Sequence, residues 1–525
     1  MTPPTPLIPR PQEIQPLSGS FIWHKGLKLN TDHHQAALLA FLHQLPSEIQ
    51  PPLPRQPEPC ADLSIFQDNS IPREGYRLTL KPGSAIALSA STAEGIFHAY
   101  QTLLQLILLH RQPGEREIAI PAVQIEDSPR FRWRGFMLDE ARHFHGVQAV
   151  KRLLDWMALL KMNVFHWHLS DDQGWRLEIK KYPRLTEIGG RRTASQVGDR
   201  LFERIEHKPH SGFYTQAEIA EIVRYAAERH IRIVPEIDLP GHFSAGLAAY
   251  PHLGCKGKGY IVQPKWGIFK DILCPGKPGT LVFLKDALAE IIDLFPGEYI
   301  HIGGDEAPKT NWRTCPDCQR LAANEGISPV SGLQTWLTNQ LCAFLNRNGR
   351  KLIGWNEILA DNLDPAAACQ FWLGDEKTAL RHIRNGRKMV LSQFSHYYLD
   401  HSYIHSPLDR VYLFEPVFPE LGPEYSSNIL GIEAPLWTEY APNQARLDWQ
   451  LFPRLLAVAE TAWLQPKKKN LNSFHQRLKE FNRLLDAKSV GYAKINQANP
   501  PAWTRILAPL TLIQPGKGQA QTERS

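Results

Sequence analysis

Tyr299-Ile-His-Ile-Gly-Gly-Asp-Glu306 joins a short apolar run, two glycines and two adjacent carboxylates. Neighbours within a strand point to opposite faces. Just past a strand end, after two glycines that free the backbone, both acids can turn toward one pocket. The same form, an apolar run followed by a helical pattern, recurs from Arg130 onward: Gly135-Phe-Met-Leu, Asn163-Val-Phe-His-Trp-His-Leu, Ile231-Arg-Ile-Val-Pro-Glu-Ile, Leu352-Ile-Gly-Trp, Ala368-Cys-Gln-Phe-Trp, Lys388-Met-Val-Leu-Ser and Ile429-Leu-Gly-Ile-Glu. With the stretch at 299 these are eight β-then-α units, which predicts an α/β fold with a (β/α)8 TIM barrel over residues 130–465. The helices between them are legible. Val147, Val150, Leu153, Leu154, Met157 and Leu160 form one stripe, and Thr215-Gln-Ala-Glu218 is a capping box. A doubly wound open sheet is the alternative. No phosphate-cradling G-x-G-x-x-G or G-x-x-x-x-G-K-[ST] follows any of the strands, which argues against it.

Residues 1–129 read as a small α+β domain. The first 60 residues hold 12 of the 42 prolines and are expected to be an extended lead-in with loops. Glu74 to Leu80 and Ala85 to Ala90 alternate across Lys81-Pro-Gly, a hairpin signal. Thr92 to His110 has helical spacing, and Ile118 to Ile125 returns to strand.

The chain has 525 residues, a 43% hydrophobic and 21% charged composition, and a formal charge of +6. Such usage excludes wholesale disorder. Residues 466–525, read as a basic C-terminal helix and tail, carry eleven Lys/Arg against three Asp/Glu, leaving 48 against 50 for the rest. The body therefore offers no broad basic face for nucleic acid, and the last 60 residues are expected to be a solvated helix and frayed end. No apolar run is long enough to span a bilayer. No secretory signal is visible and cysteines are few, seven in all, so a cytoplasmic location is expected.

The strand ends, where barrel chemistry sits, carry Asp139, Glu140 and Arg142; His166, His168, Asp171 and Asp172; Glu236, Asp238 and His242; Asp305 and Glu306; Trp355 and Glu357; Trp372; Tyr398 and Asp400; Trp437 and Glu439. Ionised acids are rarely buried without partners, so acids at nearly every strand end imply a polar pocket. Two carboxyl groups in different surroundings can divide acid and base work. Flat aromatics such as Trp175, Trp355, Trp372, Tyr398 and Trp437 suit the C–H faces of sugar rings, while acids and Arg suit their hydroxyls.

These residues resemble the glycoside hydrolase family 20 β-N-acetylhexosaminidases from about Arg130 to Trp463. The resemblance is carried by RGFMLDEARHF, MNVFHWHLSDDQGWRLEIKKYP, VPEIDLPGHFSA, HIGGDE, GWNEIL and APLWTEY, in that order. It implies the same barrel behind a small α+β domain. It also implies an exo-acting, retaining enzyme that removes terminal N-acetylglucosamine or N-acetylgalactosamine. On this resemblance Glu306 is the general acid and then base, and Asp305 holds the acetamido N–H while the acetamido oxygen attacks the anomeric carbon. Tyr398 aims that oxygen. Asp171 and His242 tune Glu306, supported by Asp238. Arg142, Asp400 and Glu439 hold hydroxyls, and Trp355, Trp372 and Trp437 wall the pocket. Neither cofactor nor metal is expected; the partner is an oligosaccharide or small glycoside.

One departure is the lack of a tryptophan between His401 and Leu436, where Val411-Tyr-Leu-Phe-Glu-Pro stands instead. Two other functions fit parts of the chain. His166-Trp-His168 resembles the H-x-H ligands of metal-dependent amidohydrolase barrels, although alternate strand residues share a face and can equally be interior histidines. A sugar-binding protein without catalysis is the other, against which both acids are present. Cys315-Pro-Asp-Cys318 is a lone C-x-x-C, read as reduced or structural; Cys255 and Cys274 bracket another loop that could approach it.

Overall fold

The computed structural model describes residues 5–29, 35–52, 61–198, 203–501 and 503–504. Its N-terminal part is a five-stranded sheet with one long helix. The elements are β1 (Glu13–His24), α1 (Gln35–Leu42), β2 (Leu63–Gln67), β3 (Tyr76–Leu80), β4 (Ile86–Ala90), α2 (Ala93–His110) and β5 (Glu117–Asp127), with strand order β1-β5-β3-β4-β2. The β3–β4 hairpin forms as its alternation predicts, inward residues buried on both strands. Thr92 caps α2 through Gly95 N. Contrary to the expected lead-in, residues 13–24 form an edge strand paired with β5, and 35–42 a helix. Pro16 is tolerated because β1 is an edge strand and the register shifts between Pro16 and Ser20.

All eight predicted barrel strands form and close in parallel: β6 (Trp133–Asp139), α3 (Val147–Leu159), β7 (Val164–His168), α4 (Gln216–Ala227), β8 (Arg232–Glu236), α5 (Thr280–Leu294), β9 (Tyr299–His301), α6 (Pro316–Asn324), α7 (Leu333–Arg347), β10 (Lys351–Trp355), β11 (Ala368–Phe371), α8 (Glu376–Arg384), β12 (Met389–Leu391) and β13 (Ile429–Leu436). The capping box at Thr215–Glu218 opens α4 as expected. The interior is layered. Trp133, Val164, Val234, Tyr299, Ile353, Ala368 and Val390 form an apolar plug. A charged layer built around Glu236 and Glu433 also lies inside, and Met137, Trp355, Trp372 and Tyr398 cluster on the side of the strand ends.

The two domains meet through buried charge. Lys161, 1% exposed, donates to Tyr76 and pairs with Asp127 at 3.1 Å, and Arg134, equally buried, pairs with Glu74. Trp463 Nε1, at the end of α9 (Arg454–Trp463), also donates to Asp127. The C-terminal helix α10 (Leu471–Ala487) is not a solvated one. Phe474, Leu478, Phe481, Leu484 and Leu485 are buried, it packs on α2, and Arg477 pairs with Glu460 at 2.6 Å where both are buried. Its apolar stripe at helical spacing outweighs the basic surface charge around it. The tail beyond residue 504 lies outside the described residues. Among the described residues, no helix is long and apolar enough to cross a membrane.

Candidate active site

The loops after the barrel strands enclose a cleft of about 280 Å³ at their C-terminal ends. Arg142, Asp171, His242, Asp305, Glu306, Trp372, Tyr398, Asp400, Trp437 and Glu439 all line it. Ten of the twelve residues that the sequence assigns to the site are thus brought together.

The Gly303-Gly304 turn explains how the two acids reach the cleft. Their φ angles are +65° and +101°, in the left-handed region. A Cβ at 303 would overlap Asp238 Oδ1, and one at 304 would overlap Ile358. Glu306 itself has φ +45°, an uncommon and costly conformation for a non-glycine residue.

Behind Glu306 runs a relay of buried groups. His242 Nε2 lies 3.6 Å from Glu306 Oε2 and 3.9 Å from Asp305 Oδ2, while its Nδ1 donates to Asp171 Oδ1 at 3.1 Å. Asp172 stands 3.2 Å from the same Nδ1 and accepts from Ser244. Burial disfavours a charged imidazole, yet Asp171, Asp172 and Glu306 together raise the His242 pKa well above its ordinary value. Asp171 Oδ2 in turn meets Arg142 at 2.8 Å and His168 at 2.9 Å.

Arg142 is held on every side. Asp139 accepts from the backbone N–H groups of Ala141 and Arg142 and from Thr438, fixing the β6 and β13 loops together. Gln173 takes the Arg142 Nε–H, Glu439 lies 3.9 Å away, and the guanidinium sits 4.9 Å from the Trp437 ring centroid. Trp372 and Tyr398 stack at 5.9 Å, with the Trp372 indole N–H donating to both Glu357 oxygens. Glu357 thereby sets the angle of an aromatic wall.

Asp305 is 8% exposed, and its Oδ1 is buried with no hydrogen-bond partner. Burial, reinforced by Glu306 and Glu236 and opposed by His242, lifts its pKa to about 6. Burial and then Glu439 lift Asp400 to about 8; its Oδ1 is likewise unpartnered.

Two expected pocket residues stand elsewhere. Trp355 is 1% exposed and lies inside the barrel mouth, donating to Glu236 at 2.9 Å and packing 6.0 Å from Trp437. It supports the wall from behind, because a residue of the strand itself points into the barrel while the loop beyond reaches the cleft. Asp238 is fully buried, accepts from Gly304 N at 3.2 Å and lies under the glycine turn. Trp175 is also buried, its indole satisfied by Leu177 O, and takes no part in the cleft.

His166 and His168 are interior residues. His166 sits between Glu433 at 2.7 Å and Glu236 at 3.1 Å; His168 bonds Glu236 and Asp171. Despite burial, the two glutamates hold His166 at a pKa of about 9. The sequence reading missed Gln196, Trp266, Ile268 and Phe394, which also line the cleft. Trp266 comes from the long loop after β8, anchored where its backbone N–H donates to Gln196 Oε1. That loop has no periodicity, so only its aromatic residue could have marked it.

Comparison with known proteins agrees with this geometry. Residues 131–466 match the catalytic domain of glycosyl hydrolase family 20, and residues 4–128 match domain 2 of the same family. A beta-hexosaminidase of Porphyromonas gingivalis is 38% identical over 446 residues, covering 82% of this chain and 56% of its own length. One of Vibrio furnissii is 37% identical, covering 86% of this chain and 76% of its own length. Among solved structures, a family 20 exo β-N-acetylglucosaminidase of Vibrio harveyi, in complex with N-acetylglucosamine, superposes with a TM-score of 0.84 at 33% identity, over 94% of this chain and 78% of that one. With both of its domains matched in sequence and its barrel matched in space, this chain belongs to glycosyl hydrolase family 20.

Proposed function

We propose that the protein is an exo-acting, retaining β-N-acetylhexosaminidase that removes terminal non-reducing N-acetylglucosamine or N-acetylgalactosamine by substrate-assisted catalysis. The observation that carries this reading is Asp305: a buried acceptor without a partner, beside the acid at 306, on the wall of a cleft of about 280 Å³. Such an oxygen is costly unless a ligand donor meets it, and an acetamido N–H is a donor of the right kind. The volume, near the lower end of small-molecule sites, suits one sugar ring. The names of the Porphyromonas and Vibrio relatives, and the N-acetylglucosamine in the Vibrio harveyi complex, support the same substrate class.

In this mechanism Asp305 accepts the acetamido N–H and Tyr398 hydrogen-bonds the acetamido oxygen. That oxygen attacks the anomeric carbon as the glycosidic bond breaks, and Glu306 gives its proton to the departing oxygen. The oxazolinium-like intermediate is positive, so an ionised Asp305 in a poorly hydrated site stabilises it. Glu306 then takes a proton from water, which opens the intermediate with net retention. No enzyme carboxylate becomes the nucleophile, an exception to the two-carboxylate scheme. Arg142, Asp400 and Glu439 grip ring hydroxyls while Trp372 and Trp437 cover the ring faces; Asp171 and His242 position and charge-balance Glu306.

The test is kcat/KM on matched aryl N-acetylglucosaminide, N-acetylgalactosaminide and plain glucoside. The two acetamido sugars are expected to turn over and the glucoside to lag by orders of magnitude. Equal rates on the glucoside would sink the reading.

A further inference from the structure

Four cysteines converge about a point beside the cleft. Cys255 and Cys274 lie on the loop after β8, the loop that carries His242; Cys315 ends the loop after β9, which carries Asp305 and Glu306, and Cys318 lies in the helix α6 that follows it. Their four sulfurs all lie within 4.8 Å of one another, with Cys274–Cys318 at 3.4 Å, Cys274–Cys315 at 3.8 Å and Cys255–Cys318 at 4.0 Å. Four thiolates around a zinc ion at about 2.3 Å define a tetrahedron with edges of roughly 3.8 Å. The observed separations bracket that edge, and the cysteines are free thiols.

The surroundings are built for such a site. Cys315 is the N-cap residue of α6 and Cys318 lies in its first turn, where the helix end favours negative sulfur. Gly276 passes so close to Asp317 and Cys318 that a Cβ would collide with their backbone. Ile272, Ala307, Trp312, Ala322 and Leu333 wrap the sulfurs in an apolar shell. Across it, Trp312 Nε1 donates to Leu273 O at 3.0 Å and Lys277 pairs with Asp317 at 2.6 Å.

We propose that these four cysteines bind one zinc ion that staples the His242 loop to the Asp305–Glu306 loop. With all four positions filled by sulfur the site is closed, so the ion is structural and takes no part in bond-breaking. Zinc suits a compact tetrahedral sulfur set in a protein of this kind, and it favours neither oxidation nor reduction of its ligands. Its binding energy appears as folding energy of the two loops, and hence as order in the His242–Glu306 relay.

The experiment is metal analysis of the full-length protein, purified without chelator, by inductively coupled plasma mass spectrometry. About one zinc per chain is expected. An organomercurial titrated into the native protein should release that zinc in step with four thiols. Cobalt added to demetallated protein should give thiolate-to-cobalt charge-transfer bands. Cys318→Ser should lose the zinc, whereas Cys342→Ser, in the buried face of α7, should keep it. Demetallation should lower Tm by roughly 5 °C or more. Wild-type protein without stoichiometric zinc, with iron in its place, or with 255–318 or 274–315 disulfides in non-reduced peptide maps would overturn the proposal. The metal, titration and cobalt measurements need no variant and no activity, so they stand apart from the hexosaminidase reading.

Discussion

His242 and Glu306 face each other across 3.6 Å, and both hold left-handed backbone conformations, φ +48° and +45°. Each such residue costs of order 1–3 kcal/mol and persists only where the surroundings impose it. Here the imposing contacts are visible. Gly241 packs against the Asp305 carbonyl, and Leu239 N donates to Ile302 O, so the two loops are set against each other. Each strained residue thus helps to aim its side chain at the other.

On the proposed mechanism, Glu306→Gln removes the proton donor while keeping shape. A loss of about 10²- to 10⁴-fold in kcat/KM is expected on substrates with poor leaving groups, and much less on a nitrophenyl or fluorinated aryl glycoside. A leaving-group series on both proteins checks this; parallel losses throughout would point to binding, not proton transfer.

Asp305→Asn should retain the fold and lose orders of magnitude in rate. Wild-type kcat/KM is expected to rise with pH through about 6 as Asp305 ionises, and the variant should lack that limb. A stability effect of opposite sense accompanies it. A carboxyl raised from 3.8 to about 6 on folding binds its proton more tightly in the native state, so its stabilising contribution is complete below 3.8 and lost as pH climbs through 6. Thermal melts at pH 4 to 8 should therefore fall less steeply for the variant than for wild type.

Asp400 extends that window. Its pKa of about 8 means stability lost between 3.8 and 8. Asp400→Asn should raise Tm at pH 8 relative to wild type while raising KM, since a hydroxyl acceptor is gone. A lower Tm at pH 8 would show that the carboxylate is held by partners rather than strained by burial and Glu439.

Gly303→Ala places a methyl group on Asp238 at a backbone angle of +65°. We expect a stability loss of at least roughly 1–3 kcal/mol from strain alone and an activity loss of 10²-fold or more as the acids swing. Urea unfolding with parallel kinetics separates the two.

Arg477→Met leaves Glu460 as an uncompensated buried charge, although Tyr412 and Arg10 N still donate to it. Breaking a buried pair from one side costs about 3–5 kcal/mol. Tm should drop by several degrees with kcat/KM at 25 °C unchanged, because the helix is remote from the cleft.

The strands and the acid pair were legible because their signals are local. An apolar run of four or five residues followed by Gly-Gly-Asp-Glu needs no knowledge of its neighbours. β1 was hidden because its partner is a hundred residues away and it lies within a Pro-rich lead-in. The docked helix at 471–487 was obscured by counting charge over the tail rather than weighing its apolar stripe. Trp175 and Trp355 share the composition of platform aromatics, yet near-complete burial away from the cleft sets them apart from Trp372 and Trp437, which line it. Trp266 reaches the cleft on a loop whose path only the assembled barrel dictates.

Lys161 and Arg134 belong to the barrel domain, but the carboxylates that neutralise them, Asp127 and Glu74, belong to the preceding domain. Cutting the chain near Pro129 would remove both counter-ions and bare the barrel face that α2 covers. The catalytic half is thus not severable: its amino-terminal companion acts as a counter-ion reservoir, and expression of residues 130–525 alone should give insoluble material.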